Sequence, residues 1–269
     1  MADAEYGSLP FKEQISFFRQ KVNLPTSSWT DLWHGMHSRS FVVAGATRED
    51  LLTDMRGAVD KAISQGTTLA EFRKDFDLLV ERHGWSYTGG RNWRSRVIYS
   101  TNLRTSYMSG RYQQMQAVSK TRPWWRYRHN DSVAQPRPEH QAWDGLILRH
   151  DDPWWSTHYP LNGWGCECYT ETLSDRDMKK LGKSGPDEAP PIKYRDVEVG
   201  AQGSNPRTVR VPEGIDPGWG YNVGETAWGR QLSEETMAGY KAQGAAAWES
   251  LTPGGAEFAL GAGDDDDDL

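Results

Sequence analysis

Apolar residues recur at helical spacing through the first half of this chain. In "PFKEQISFFRQKV", Phe11, Ile15, Phe18 and Val22 share one face, and Pro10 suits a helix start. The polar stretch after it offers Thr26, Ser27 or Ser28 as the cap of a short second helix. A third stripe runs through Leu51, Leu52, Met55, Val59 and Ile63, with Thr47 and Asp50 at capping-box spacing before it and Gly66 as its stop. The next segment repeats that design. Thr68 and Glu71 cap it, Leu69, Phe72, Phe76 and Leu79 form its apolar face, and Gly84 ends it. A long helix is predicted from Asn92 to Ser119, with Pro123 beyond its end.

The period then changes. "WWRYRHN" alternates and is aromatic, so it reads as a strand, and "GLILRH" and "CECYTET" are two further short strands. "SDRDMKKLG" is a small helix with Ser174 as cap and Gly182 as stop. From Lys183 onward glycine and proline are frequent, and the chain reads as a tail that wraps over something rather than folding alone. A broken helix is expected within "ETAWGRQLSEETMAGYKAQGAAAWESL", and disorder in the closing "GGAEFALGAGDDDDDL". The expected fold is α+β: a helical N-terminal half, a small mixed core with a short antiparallel sheet, and an extended Gly/Pro-rich tail. The expected divisions are an N-terminal helical arm over residues 1–45, a core domain over 46–182, and a tail over 183–269 with a disordered acidic end.

Composition narrows the class. A chain of 269 residues with mean hydropathy -0.78 nevertheless carries 13 tryptophans. Large aromatics in a polar chain favour small cores and surfaces made for contact. The net charge of -6 owes much to the Asp264–Asp268 run. Two cysteines exclude a disulfide-dense scaffold, no apolar run reaches membrane-spanning length, and the acidic opening segment lacks the blocks of a signal peptide. A soluble protein made in the cytoplasm, with no membrane partner, is the natural reading.

The two cysteines, Cys166 and Cys168, are one residue apart, so on a strand both sulfurs would face the same side. Zinc would need two more ligands, and His158 and His140 are the nearest candidates. Paired zinc cysteines usually have two to four residues between them, so the tight spacing favours a metal-free structural lock without a cofactor. Upstream, Asp131, Arg137, Glu139, His140 and Asp144 crowd one irregular segment. An acid, a base and an arginine would suit acid–base work on a phosphate or amide, as in a small nuclease or transferase using the Arg137/His140 loop. With no phosphate loop and no nucleophile motif, a charge network that pins the loop is favoured. The stretch from Arg91 to Asn130 holds no carboxylate and many arginines among aromatics. Arg94, Arg104, Arg111 and Arg126 are therefore candidate nucleic-acid contacts; pairing with the acidic helices on either side explains them equally well.

The order of the motifs resembles a known family. "IYSTNLRTSY" with "GRY", then "RPWWRYRHND", "RPEHQAWDG", "DDPWW", "HYPLNGWGCECYTETLSDRD" and "DPGWGYNVG" look like those of the bacteriophage Mu F-like minor head proteins, and the likeness covers most of the chain. It implies a non-enzymatic minor head protein of a tailed phage or prophage, made in the host cytoplasm and carried in the virion. Such a protein acts in head morphogenesis and procapsid assembly near the portal, with the portal, other head proteins and double-stranded DNA as its implied partners. The signature positions it implies here are Asp131, Arg137, His140, Gly145, Pro160, Cys166 and Cys168. Two positions depart from the family pattern: Leu161 stands where a second proline is common, and Glu167 where arginine is common, which removes a positive charge beside the cysteines.

Overall fold

A computed structural model describes residues 11–133, 135–201 and 206–228. Much of the "ETAWGRQ…" segment and the acidic end lie outside the described residues. The chain opens with α1 (Lys12–Arg19), whose neighbouring Phe17 and Phe18 enter two different cores. Val22, the expected fourth member of the stripe, leaves the helix to form the two-residue strand β1 (Val22–Asn23), which pairs in parallel with β2 (Ser40–Phe41). Between them lies a 3-10 turn at Trp29–Asp31, where Ser28 and Asp31 make a reciprocal capping box, followed by the one-turn helix α2 (Met36–Arg39).

The long helices follow their stripes. α3 (Glu49–Gln65) buries Leu51, Leu52, Met55 and Val59, and Gly66 closes it in the left-handed region with φ +72°. Its cap is Arg48 rather than the expected Thr47, and the Arg48 side chain makes no capping bond; within the first turn Asp50 Oδ1 accepts from the Leu51 amide at 2.9 Å. α4 (Leu69–His83) has the expected Thr68–Glu71 capping box and buries Phe72, Phe76 and Leu79. These faces meet Phe18, Phe41, Trp85 and Ile98 in the first core.

α5 (Arg91–Ala117), 27 residues long, is shared by both cores. Its first half gives Ile98 to the core of α3 and α4, and its second half gives Met108, Tyr112 and Met115 to the other. Small residues let neighbours close on it: Ser106 receives a hydrogen bond from Gln14 of α1.

The second core forms around β3 (Trp124–Arg128), the centre of a three-stranded antiparallel sheet with β4 (Ile147–Arg149) and β5 (Tyr169–Leu173) on either side. Trp125 lies opposite Leu148 and Thr172, and Tyr127 opposite Thr170. Alternation sends Trp125 and Tyr127 inward, fully buried, while Arg126 and Arg128 face out to Glu171 and Asp144. Two short helices cross the segment between the strands: α6 (Pro138–Ala142), with proline in its first turn, and α7 (Trp155–His158). α8 (Asp175–Lys180) follows β5, with Ser174 and Asp177 as its capping box.

After α8 the chain wraps back over this core. It adds an antiparallel hairpin of β6 (Tyr194–Val199) and β7 (Arg207–Pro212), which the glycine-rich composition concealed. Ile215, Trp219, Val223 and Ala227 then enter the second core, the last two from α9 (Val223–Trp228). α9 lies so close to α5 that a Cβ on Gly224 would overlap the Tyr112 ring.

Two glycine substitutions should therefore act in opposite directions. Gly224→Ala forces α9 off α5 and should cost about 1–3 kcal/mol. Gly57→Ala, at an exposed α3 position with nothing within 4 Å, should stabilise by up to about 1 kcal/mol. Thermal unfolding of the two variants checks the signs.

Candidate functional site: a buried thiol and imidazole corner

The site forms where β3, β5 and α6 converge. The cysteines are not on a strand, as the alternation implied; β5 begins at Tyr169, and they lie in the extended lead-in before it. A turn at Gly163–Cys166 and Gly165 at φ +67° set up that lead-in. Both sulfurs are nonetheless buried, and Glu167 between them turns outward.

His140 is delivered by the single turn of α6. Its Nε2 lies 2.8 Å from the Gly214 carbonyl. A carbonyl only accepts, so Nε2 carries the proton and donates, and Nδ1 faces inward. Nδ1 lies 3.7 Å from Cys166 Sγ and 3.4 Å from Cys168 Sγ. Gly214 sits at φ +78°, and a Cβ there would meet Glu139 and Trp143, so only glycine brings this carbonyl in without displacing them. His129, just past β3, places its Nδ1 3.5 Å from Cys168 Sγ. Its Nε2 has no hydrogen-bond partner among the described residues and lies 4.0 Å from Asp131, whose carboxylate is otherwise in solvent.

The two sulfurs titrate as a pair. A hydrogen bond from Cys168 draws the Cys166 thiol well below the ordinary cysteine range, against the opposing effect of burial, and His140 adds to it. The same bond, reinforced by burial, drives Cys168 upward. Tyr127 closes the inner side and donates to Asn162 Oδ1 at 3.0 Å. Trp143 stacks on His140 with ring centres 5.2 Å apart.

His158 lies in the aromatic wall beside this cluster. Its ring stacks on Trp154 at 4.2 Å, its Nδ1 pairs with Thr157 at 2.7 Å, and burial lowers its pKa to about 4. The metal-capable group among the described residues is His140, Cys166 and Cys168. His129 was not singled out from the sequence. Its only local signal was its position at the end of an aromatic strand.

The remaining expected positions are structural in their contacts. Arg137 bonds Asp216 at 2.6 Å and the Trp164 carbonyl at 3.1 Å, which ties the loop before α6 to the returning tail. Gly145 takes φ +84° in the turn into β4, and Pro160 is buried. Asp144 accepts from the His129 amide and from Arg128. Glu167 accepts from Asn130 at 2.9 Å and lies 3.6 Å from Arg104, so its negative charge is matched locally.

The arginines chiefly serve the chain's own carboxylates and carbonyls. Arg94 donates to the Ala44 carbonyl and lies over Trp85, Arg104 donates to the Cys166 carbonyl, Arg126 pairs with Glu171, and Arg111 bonds Gln114. Arg91 pairs with Asp77, and Arg122 with Asp177.

An apolar cavity of about 430 Å³ opens elsewhere, between β1–β2, α5 and the returning tail. Trp93 and Trp164 line it while remaining 57% and 40% exposed. Lys21 also lines it, buried, donating to the His37 carbonyl at 2.7 Å, and burial lowers its pKa to about 7.

With that geometry described, comparison with known proteins places the chain. Residues 53–171, which hold α4, α5, β3, β4, the start of β5 and the thiol corner, match the family described as Phage Mu protein F like protein. Over that span the chain is similar to this family. It is 34% identical over 249 residues to the "Putative capsid assembly protein F" of Escherichia phage Mu, covering 82% of this chain and 56% of that protein. It is also 34% identical over 230 residues to the "Mu-like prophage FluMu F protein" of Haemophilus influenzae, covering 77% of this chain and 55% of that one. The chain thus spans just over half the length of these relatives. No solved structure matches it.

Two predictions come from this site and its surroundings. Trp155 is fully buried among Trp125 and Trp154, so Trp155→Ala should cost about 3–5 kcal/mol. Trp164→Ala, which the sequence alone would rank as equally severe, should cost much less because that ring is half in solvent; denaturant unfolding of both variants checks the order. For Lys21, the unfolded chain holds a proton up to about 10.5 and the folded chain only to about 7. Stability should therefore rise with pH between these values, by at most about 1.4 kcal/mol per unit, and fall again as pH drops through that window. Lys21→Met should flatten this slope in urea titrations at graded pH.

Proposed function

We propose that this chain is a non-enzymatic minor head protein of a tailed phage or prophage, which joins the procapsid beside the portal and is carried in the virion. Its relative in phage Mu bears the name of a capsid assembly protein, and the family likeness covers the folded centre of this chain. The observation that carries the reading is the aromatic rim of Trp93 and Trp164 at the mouth of an apolar cavity. Large aromatics held half in water at the edge of an apolar recess are the usual anchors of a protein contact. Among the described residues no helix is long and apolar enough to cross a membrane.

The enzyme alternative fares less well on geometry. His140 is buried, with one nitrogen on a backbone carbonyl and the other on the thiols, and Arg137 is committed to Asp216. Neither lines the apolar cavity, and a general base must reach the proton it takes. Double-stranded DNA is not favoured by any contact, because Arg94, Arg104 and Arg126 already serve internal partners.

The test is a Trp93→Ser, Trp164→Ser double variant supplied in a phage that lacks its own copy. Incorporation into heads should fall by about tenfold, the effect of roughly 1.4 kcal/mol, with little change in unfolding temperature. Equal incorporation would remove the rim from the reading. Normal heads without the protein, together with loss of a nucleic-acid cleavage step, would replace the assembly role by the enzymatic one.

A further inference from the structure

We propose that the thiol corner is a structural zinc site, held by His140 Nδ1, Cys166 Sγ and Cys168 Sγ, with His129 Nδ1 as the fourth ligand. The inference does not depend on the assembly role. It rests first on spacing. The three ligand atoms lie within 4.8 Å of one another, with Nδ1 at 3.7 and 3.4 Å from the two sulfurs. A tetrahedral ion with bonds of about 2.3 Å to sulfur and 2.0–2.1 Å to nitrogen separates its ligands by about 3.3–3.8 Å. The observed separations are thus close to the edges of such a tetrahedron. His129 Nδ1 is 3.5 Å from Cys168 Sγ but stands outside the 4.8 Å grouping of the other three ligand atoms, so a movement of its side chain toward Cys166 and His140 would complete the set.

The second observation is the orientation of His140. Metal-bound histidines almost always donate the distal N–H to a carbonyl or carboxylate, which fixes the tautomer and leaves the other nitrogen bare. The Gly214 carbonyl does this for His140. A hydrogen bond from one thiol would occupy that lone pair, yet both sulfurs are within reach of it. His129 fits the same pattern: with Nδ1 on the metal, its Nε2, unpartnered in the described structure, would carry a proton toward Asp131.

Ligand chemistry and burial select the ion. Two thiolates and two imidazoles suit zinc rather than magnesium or calcium. Two thiolates also cancel the charge of a divalent cation, so the buried site would be neutral. All four side chains are buried, as in a closed structural site that keeps no open position for substrate. Such a centre would bind β3, α6 and the lead-in to β5 together, and through Gly214 it would hold the returning tail. His158, the nearer histidine in sequence, would take no part.

The full chain, purified without chelator under reducing conditions, should contain about one zinc per molecule by elemental analysis. His158→Gln should keep it, whereas Cys168→Ser and His140→Asn should lose it. Wild-type chain separates metal loss from misfolding. Stripped by a chelator and titrated with cobalt, it should show the thiolate charge-transfer and tetrahedral ligand-field bands. One equivalent of zinc should then slow the reaction of both thiols with an aromatic disulfide reagent by at least about tenfold. His129→Gln should weaken zinc in chelator competition by at least about tenfold, and unchanged affinity would remove His129 from the set. A Cys166–Cys168 disulfide, thiols that zinc does not protect, or zinc lost equally from His158→Gln would overturn the proposal.

Discussion

The hydrogen bond from His140 to the Gly214 carbonyl is the contact on which the architecture of the second core depends. It joins two segments 74 residues apart. On one side it fixes which nitrogen of the imidazole meets the thiols, and on the other it holds the chain leaving β7 against α6. The bond requires a residue without a side chain at position 214, because any Cβ would meet Glu139 and Trp143. Arg137 and Asp216 repeat the connection one turn away, and Asp216 also accepts from the Trp164 amide. Loop, turn and tail thus satisfy one another's polar groups, and leaving the buried His140 nitrogen unpaired would cost about 1–3 kcal/mol.

α5 distributes this order through the molecule. A helix of 27 residues reaches about 40 Å, long enough to serve two cores in succession. Its apolar residues do not keep to one stripe, because different neighbours cover different sides: α4 and α3 toward its start, α1 along it, and α9 and Tyr159 toward its end. Tyr159 reaches the Met108 carbonyl of α5 from the aromatic cluster, so the sheet and the helix share a buried polar contact as well as apolar ones. Phe17 and Phe18 of α1 occupy both cores at once and couple them.

The same distribution bears on function. Side chains that could have served chemistry or phosphate binding are spent on internal contacts: Arg104 on the Cys166 carbonyl, Arg126 on Glu171, Arg137 on Asp216. Among the large apolar side chains that do reach solvent are the aromatics Trp93, Tyr107, Trp164 and Tyr169, the residue types that favour protein contacts.

The sequence by itself determined the local elements. Stripes at period 3.6 located α3 and α4, the Thr68–Glu71 and Ser174–Asp177 boxes marked two helix starts, and alternation in "WWRYR" set which residues of β3 face inward. These rest on interactions between near neighbours, so the residues involved are adjacent in the string. The order of motifs likewise sufficed to reveal the likeness to the Mu F-like family. Only the tertiary structure decided the rest. His129 and His140 reach the cysteines across 39 and 28 residues. Their choice over His158 depends on how β3, α6 and the β5 lead-in pack, and no spacing encodes that. The β6–β7 hairpin was hidden because its strands alternate weakly and lie in glycine- and proline-rich surroundings. Trp164 was indistinguishable in sequence from Trp154 and Trp155, yet it is half in solvent while they are buried, because burial belongs to the neighbours that arrive and not to the residue itself.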